Sequence, residues 1–375
     1  MATTHVFIVD ATTFKYHLEY LFAGTGAKDC VIDFNNSRNT SMHSKTESNL
    51  VGMIADSQRI RVGDFVIFYL QQNFQQQIWE GKFYGVFKVK ETPSFLDNND
   101  ELQYLSPQLE KSLTFRTIIE PYQVYADGVT EWEALDEIQY IQSPNQMLWS
   151  LIYRKLKGNR GNTMITIYES ERLINLIRNK NHRTLLHGNN FTFDQTTQSI
   201  TDSAIAHNYM GRREIINILP RLIQKYNNGN QFETHLQAYI LQHLEHIGIF
   251  DDDQIEWIGN EVSCGVGMQR IDIMVSISGT NRKIVPIELK STCAYPEITI
   301  QLQRYVDWIK QYYLSNRVSD IEPMIISREF ENKGTEDYII FINALRSFND
   351  TNDLNVRYVE FHIADNDILF SEIIY

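Results

Sequence analysis

Four residues, Ile287-Glu288-Leu289-Lys290, constrain this chain more than any other stretch. They follow Ile284-Val285-Pro286, so an apolar segment is interrupted twice by charge. Side chains on a strand alternate faces, which puts Glu288 and Lys290 on one face and Leu289 on the other. A second apolar segment, Ile271-Asp272-Ile273-Met274-Val275, lies upstream with one charge inside it. The polar run Ser276 to Lys283 contains Gly279 and reads as a hairpin loop. If that hairpin closes, Asp272 lies beside Glu288 and Lys290. Two carboxylates and an ammonium on one edge suit phosphodiester hydrolysis. The carboxylates are hard oxygen ligands for Mg²⁺, and the lysine can orient a water or offset developing charge. Crowded carboxylates titrate high, and a metal reverses that.

An isolated Glu-x-Lys is a common surface pair, and three additions set this one apart. Asp272 is embedded in an apolar strand. Gln301 and Tyr305 are four residues apart and share a helix face. Glu233 opens a segment with an apolar stripe at Phe232, Leu236, Ile240 and Leu244. Together, G-x-x-R-I-D ending at Asp272, E-L-K ending at Lys290 and Q-L-x-R-Y ending at Tyr305 resemble the PD-(D/E)XK nuclease superfamily. The resemblance is to the branch with a Q-x-x-x-Y helix, and most of all to the archaeal and actinobacterial mismatch endonucleases that cut both strands. It covers Gln231 to Ile374. It implies a restriction-endonuclease-like α/β core in which Asp272 and Glu288 bind Mg²⁺, with Mn²⁺ as a substitute. Glu233 completes the metal shell, Lys290 positions the attacking water, and Gln301 and Tyr305 flank them. Arg270 joins the phosphate contacts. Without the resemblance, Glu233 reads as a first-turn glutamate favoured by the helix dipole.

At 375 residues the chain has the length of two domains. It has no apolar run long enough to span a bilayer and no signal peptide, so a cytoplasmic, membrane-free protein is expected. Cys30, Cys264 and Cys293 fit neither a disulfide framework nor a zinc spacing. The net charge of −13 argues against indiscriminate nucleic-acid binding but leaves room for a local basic footprint helped by metal.

The first half predicts a mixed α+β barrel with surrounding helices. Strands are expected at Thr4–Asp10, Ile60–Leu70, Phe83–Val89 and Phe115–Pro121, with a helix from Ala11 to Phe22 capped by Thr12 or Thr13. Gly24-Thr25-Gly26 reads as a turn, and Asn35 to Asn49 as a ligand-touching loop. The order Val62-Gly63-Asp64-Phe65-Val66-Ile67-Phe68-Tyr69, Phe83-Tyr84-Gly85-Val86-Phe87-Lys88-Val89, then Phe115-Arg116, resembles an EVE domain, a PUA-like fold related to YTH readers. That resemblance covers His5 to Asn181 and implies a cleft that receives a flipped, often modified, base. Its candidate walls are Trp79, Tyr84, Trp132 and Trp149, with Asn49 and Asp64 as polar partners. As residues alone, aromatics in a barrel are core. Arg154, Lys155, Lys157 and Arg160, set among glycines, read by themselves as a solvated face; beside a base-receiving cleft they would contact phosphates.

The resulting organisation is a reader over residues 1–181, a linker over 182–210 and a nuclease over 211–375. In the second half a helix is expected from Arg213 to Gln224 and a strand or helix start at Tyr338. Joining a reader to a cutter gives a modification-dependent restriction endonuclease acting on double-stranded DNA. Cutting both strands requires two active sites, hence a homodimer. The rivals are a restriction enzyme for an unmodified site, a mismatch- or branch-specific repair nuclease, and a non-catalytic reader of modified nucleic acid.

Overall fold

The computed structural model describes residues 2–27, 31–34, 44–91, 94–142, 161–244, 250, 255–264, 269–278, 282–313 and 320–375. The chain is mixed α+β and divides into two compact units, the first reaching to Ile216 and the second built on Asn217–Tyr375.

In the first unit β1 (Thr4–Val9) leads into α1 (Ala11–Glu19), β2 (Phe22–Thr25) and α2 (Ser44–Gln58). Then come β3 (Phe65–Leu70), β4 (Lys82–Val89), β5 (Phe95–Leu96), α3 (Ser106–Leu109) and β6 (Phe115–Pro121). The unit continues through β7 (Val129–Thr130), α4 (Glu131–Asp136), β8 (Asn162–Ile165), α5 (Ile167–Lys180), β9 (Phe191–Asp194) and β10 (Ser199–Asp202). The main sheet runs β2-β6-β4-β3-β1-β8, with β1 and β3 parallel and β5 and β7 added beside it. Its ends, β2 and β8, do not meet, so among the described residues the expected barrel is a half-closed sheet. The apolar runs of β1, β3 and β4 are buried on both faces, as their unbroken hydrophobicity requires.

Four local expectations are corrected. Asp10, not Thr12 or Thr13, caps α1: its carboxylate accepts from Thr13 N while the Thr13 hydroxyl accepts from Asp10 N. Gly24 and Thr25 belong to β2, where Gly24 faces Arg116 across the ladder. Asn49 lies in α2 rather than in a loop; residues 35–43 of that expected loop are outside the described residues. The linker over 182–210 contains the β9–β10 hairpin, and that hairpin belongs to the core. Phe191, Phe193 and Ile200 are buried in the cluster that holds Phe14, Tyr84 and Phe87. The short alternation Phe191-Thr192-Phe193 is the period-two signal, and its polar flanks mask it.

In the second unit α6 (Leu219–Asn227) and α7 (Glu233–Gln242) precede β11 (Ile255–Ser263), β12 (Arg270–Ile277) and β13 (Lys283–Cys293). There follow α8 (Ile298–Trp308), β14 (Met324–Arg328), α9 (Glu336–Asn352), β15 (Arg357–Ala364) and β16 (Asp367–Ile373). The helix expected at Arg213 starts at Leu219, with Pro220 in its first turn, and the Tyr338 segment is α9, capped by Thr335. The six strands stand in chain order, parallel for β13-β14-β15 and antiparallel elsewhere. Tyr358 and Phe361 are three apart on β15 and therefore point to opposite faces. Phe341 of α9 packs on Tyr358, whereas Phe232, at the start of α7, packs on Phe361. Helices thus cover both faces of the sheet. Gln303 of α8 and Asn352 of α9 exchange reciprocal amide bonds (3.1 and 2.8 Å), so these two helices share a layer.

Cys264 and Cys293 are free thiols, and among the described residues no helix is long and apolar enough to cross a membrane. Because β9 and β10 are core elements, Phe193→Ala should lower the stability of the first unit by about 3 kcal/mol in urea unfolding, as for a buried aromatic. A linker residue would change it by less than about 0.5 kcal/mol.

Candidate active site

The site forms where β12 and β13 stop pairing. Their antiparallel register runs from Ile277↔Lys283 to Ile273↔Ile287 and ends there. Beyond it β12 stays with β11 as far as Arg270, and β13 stays with β14. Side chains then take over the links between the two strands. Leu289 N donates to Asp272 Oδ2 at 2.8 Å. Tyr305, reaching in from α8, sets its hydroxyl 2.5 Å from Glu288 Oε2 on β13 and 2.9 Å from the Arg270 carbonyl on β12. From α7, Gln237 Nε2 donates to the Asp272 carbonyl at 2.7 Å, and Glu233 Oε1 lies 3.4 Å from Ser291 N.

The charges are concentrated. Lys290 Nζ donates to Glu288 Oε1 (2.5 Å) and to Leu289 O (3.1 Å), and both side chains are buried. Burial opposes the Lys290 charge, but the carboxylate of Glu288, backed by Glu233 and Asp272, holds the ammonium above its ordinary value. Asp272 goes the other way. Burial first, and then the Glu288 charge, push its carboxyl well above the usual range, against the Leu289 N–H and Lys290. Tyr305 is likewise raised, by burial and then by Glu288, and so stays a protonated donor.

These observations bear on a metal. Asp272 Oδ2 is taken by Leu289, while Oδ1 meets no donor among the described residues. Each Glu288 oxygen already has one partner, which leaves a second lone pair on each. Among the described residues no three His, Cys, Asp or Glu side chains are gathered into a group that could hold a metal ion. Glu233 is therefore not drawn into a closed shell with the other two. An open pair of carboxylates is nonetheless what Mg²⁺ takes beside waters and substrate phosphate, and the raised Asp272 carboxyl marks a place where positive charge is wanted. The residues fit such an ion.

Asp272, Glu288, Lys290 and Tyr305 come together as the hairpin reading requires, with Glu233 alongside. Gln301 is on α8 with Tyr305, and its buried Oε1 has no partner among the described residues. Arg270 is exposed and paired with Glu261 (2.5 Å), so any phosphate must compete with that carboxylate. Gln237 is the residue that sequence reading missed. It sits four residues after Glu233, on the same helix face, and that spacing was the available signal.

Among the described residues, the expected base-pocket residues of the first unit lie apart from one another. Tyr84 is fully buried, packs on Phe14 at 5.1 Å and donates to Gln198 O. Asp64 is also buried and accepts from Thr3 N and Arg61 N while bonding His5 Nε2. Both serve the core, where a polar group must find partners. Trp79 is 63% exposed and packs its ring against Phe74; Trp132 is 60% exposed on α4. Asn49 is exposed on α2. Trp149, Arg154, Lys155, Lys157 and Arg160 lie outside the described residues.

No family profile matches this chain, and no curated protein matches it in sequence. Among solved structures, a hypothetical protein from Leishmania major is 12% identical, covers 48% of this chain and 97% of its own length, and superposes with a TM-score of 0.30. The human THYN1 protein, in complex with 5-methylcytosine-containing DNA, is 8% identical, covers 47% of this chain and 97% of its own, with a TM-score of 0.26. Likenesses of this size carry no argument about what this chain does.

Proposed function

We propose that the second unit is a Mg²⁺-dependent nuclease that hydrolyses phosphodiester bonds in double-stranded DNA. The observation that carries this reading is the meeting of Asp272, Glu288 and Lys290 at the point where β12 and β13 part. The sequence resemblance supports it independently. Bound there, Mg²⁺ would supply Lewis-acid charge and a lowered pKa for its water. The chain's own residues do the rest. Asp272 Oδ1 and the free lone pairs of Glu288 would hold the ion. Tyr305 and Leu289 N fix the direction of each carboxylate. Lys290, kept charged by Glu288, can steady the attacking water or offset charge on the phosphate. The unpartnered Gln301 Oε1 can accept from that water.

The finer reading is modification-dependent restriction, with the first unit reading a flipped modified base and two copies cutting the two strands. It rests on the EVE resemblance, and Tyr84 and Asp64 have no part in it. Sequence-specific restriction and mismatch or branch repair use the same cleavage chemistry.

The test is cleavage of matched DNAs carrying no modification, 5-methylcytosine, 5-hydroxymethylcytosine or N6-methyladenine, with Mg²⁺. Cutting that disappears in EDTA and falls by 10²-fold or more in Lys290→Ala is expected, a loss of the size seen when one electrostatic stabiliser is removed. Cutting of one modified DNA alone would name the base, and equal cutting would remove the modification requirement. No cutting of any DNA would sink the nuclease reading.

The raised Asp272 carboxyl gives a second prediction. Its folded pKa lies above its unfolded one, so the ionised form costs stability, and that cost grows as pH rises through the folded value. Asp272→Asn still accepts from Leu289 N but carries no charge. Without metal it should melt above the wild type at pH 8, the gap closing as pH falls and the wild-type carboxyl protonates. A variant melting lower at pH 8 would refute the charge argument.

A further inference from the structure

We infer that Gln237 is a positioning residue for the carboxylate site, acting through the main chain of Asp272; the inference rests on the nuclease reading. Gln237 is 4% exposed, and a buried amide is kept only where it is bonded. Its Nε2 donates to the Asp272 carbonyl at 2.7 Å. That bond falls one residue past Ile273↔Ile287, the last paired position between β12 and β13. There the ladder no longer fixes the strand against β13. Asp272 is therefore held at two points, its carbonyl by Gln237 and its carboxylate by Leu289 N. Fixing the main-chain end sets where Oδ1 emerges.

The same helix face does more. Glu233 and Gln237 are one turn apart on α7, and they address β13 and β12 respectively, through Ser291 N and Asp272 O. One rigid element thus spaces the two strands that carry Asp272 and Glu288. Mg²⁺ demands near-ideal octahedral geometry, so a small drift between these carboxylates is felt as lost metal affinity. A plain structural amide would instead be felt in stability alone.

The experiment uses the full chain, titrated with Mn²⁺ and read by the electron paramagnetic resonance signal of the free ion. Gln237→Met keeps the length and loses the donor, and Gln237→Ala removes the side chain on a helix that tolerates it. Both variants, folded by circular dichroism, should bind Mn²⁺ about tenfold more weakly, the size typical of a lost outer-shell partner. In cleavage, the Mg²⁺ concentration for half-maximal rate should rise while the rate at saturating Mg²⁺ recovers towards wild type. A folded variant with wild-type Mn²⁺ affinity overturns the inference, as does the failure of both variants to fold, which would make Gln237 a packing residue. Variants that match a Mn²⁺-binding wild type sink this inference alone. A wild type that binds no Mn²⁺ sinks the nuclease reading with it.

Discussion

The hydrogen bond from Leu289 N to Asp272 Oδ2 is the interaction on which the second unit's site depends. It stands where an ordinary ladder bond would otherwise continue, just beyond the last paired position of β12 and β13. A strand edge left open inside a sheet costs free energy unless its polar groups find partners. Here the partners are side chains with chemical potential of their own: a carboxylate from β12, a phenol from α8, and an amide and a carboxylate from α7. Opening the sheet and building the site are therefore the same event. Both layers of helix are needed for it, since α7 and α9 cover opposite faces and α8 packs with α9.

Charge explains why the arrangement is under tension without a cation. Burial raises the cost of ionising Asp272, and the neighbouring Glu288 charge adds to it. Lys290 offsets part of this, through its hydrogen bond to Glu288 and through its charge at Asp272. A buried pair of this kind is weak support for stability. Its presence in an otherwise well-packed sheet calls for a use, and a carboxyl raised by burial and by a neighbouring charge, as Asp272 is, is a recognised mark of one. In the first unit, by contrast, Arg116 and Asp64 are closed off. Arg116 is locked by Asp97, Tyr209 and carbonyls of its own surroundings, and Asp64 by His5 and two main-chain amides. They serve the fold.

How far the sequence could be read follows from the same contrast. The hairpin of Asp272 and Glu288-Leu289-Lys290 was legible because alternation on a strand is a local rule, and charges in an apolar run break it visibly. Tyr305 was legible from its spacing to Gln301. Gln237 was not singled out, because a glutamine on a helix looks solvated until the strand beneath it is known to be open. The end of pairing at Ile273 leaves no local mark either; it is a property of two strands together. In the first unit the strands were found, but Phe191 and Phe193 were lost among polar neighbours. Tyr84 and Asp64 fit a base pocket as well as a core, because aromatic and acidic residues look alike in both. Burial separates the two, and burial is not written in one segment.

The most direct measurement is an anomalous difference map from crystals of the full chain soaked in Mn²⁺. The account predicts one strong peak between β12 and β13, about 2.1 Å from an oxygen of Asp272 and from one of Glu288, the distance of octahedral Mg²⁺-type ligation. A map with no peak there, or with the ion held by other residues, would contradict it.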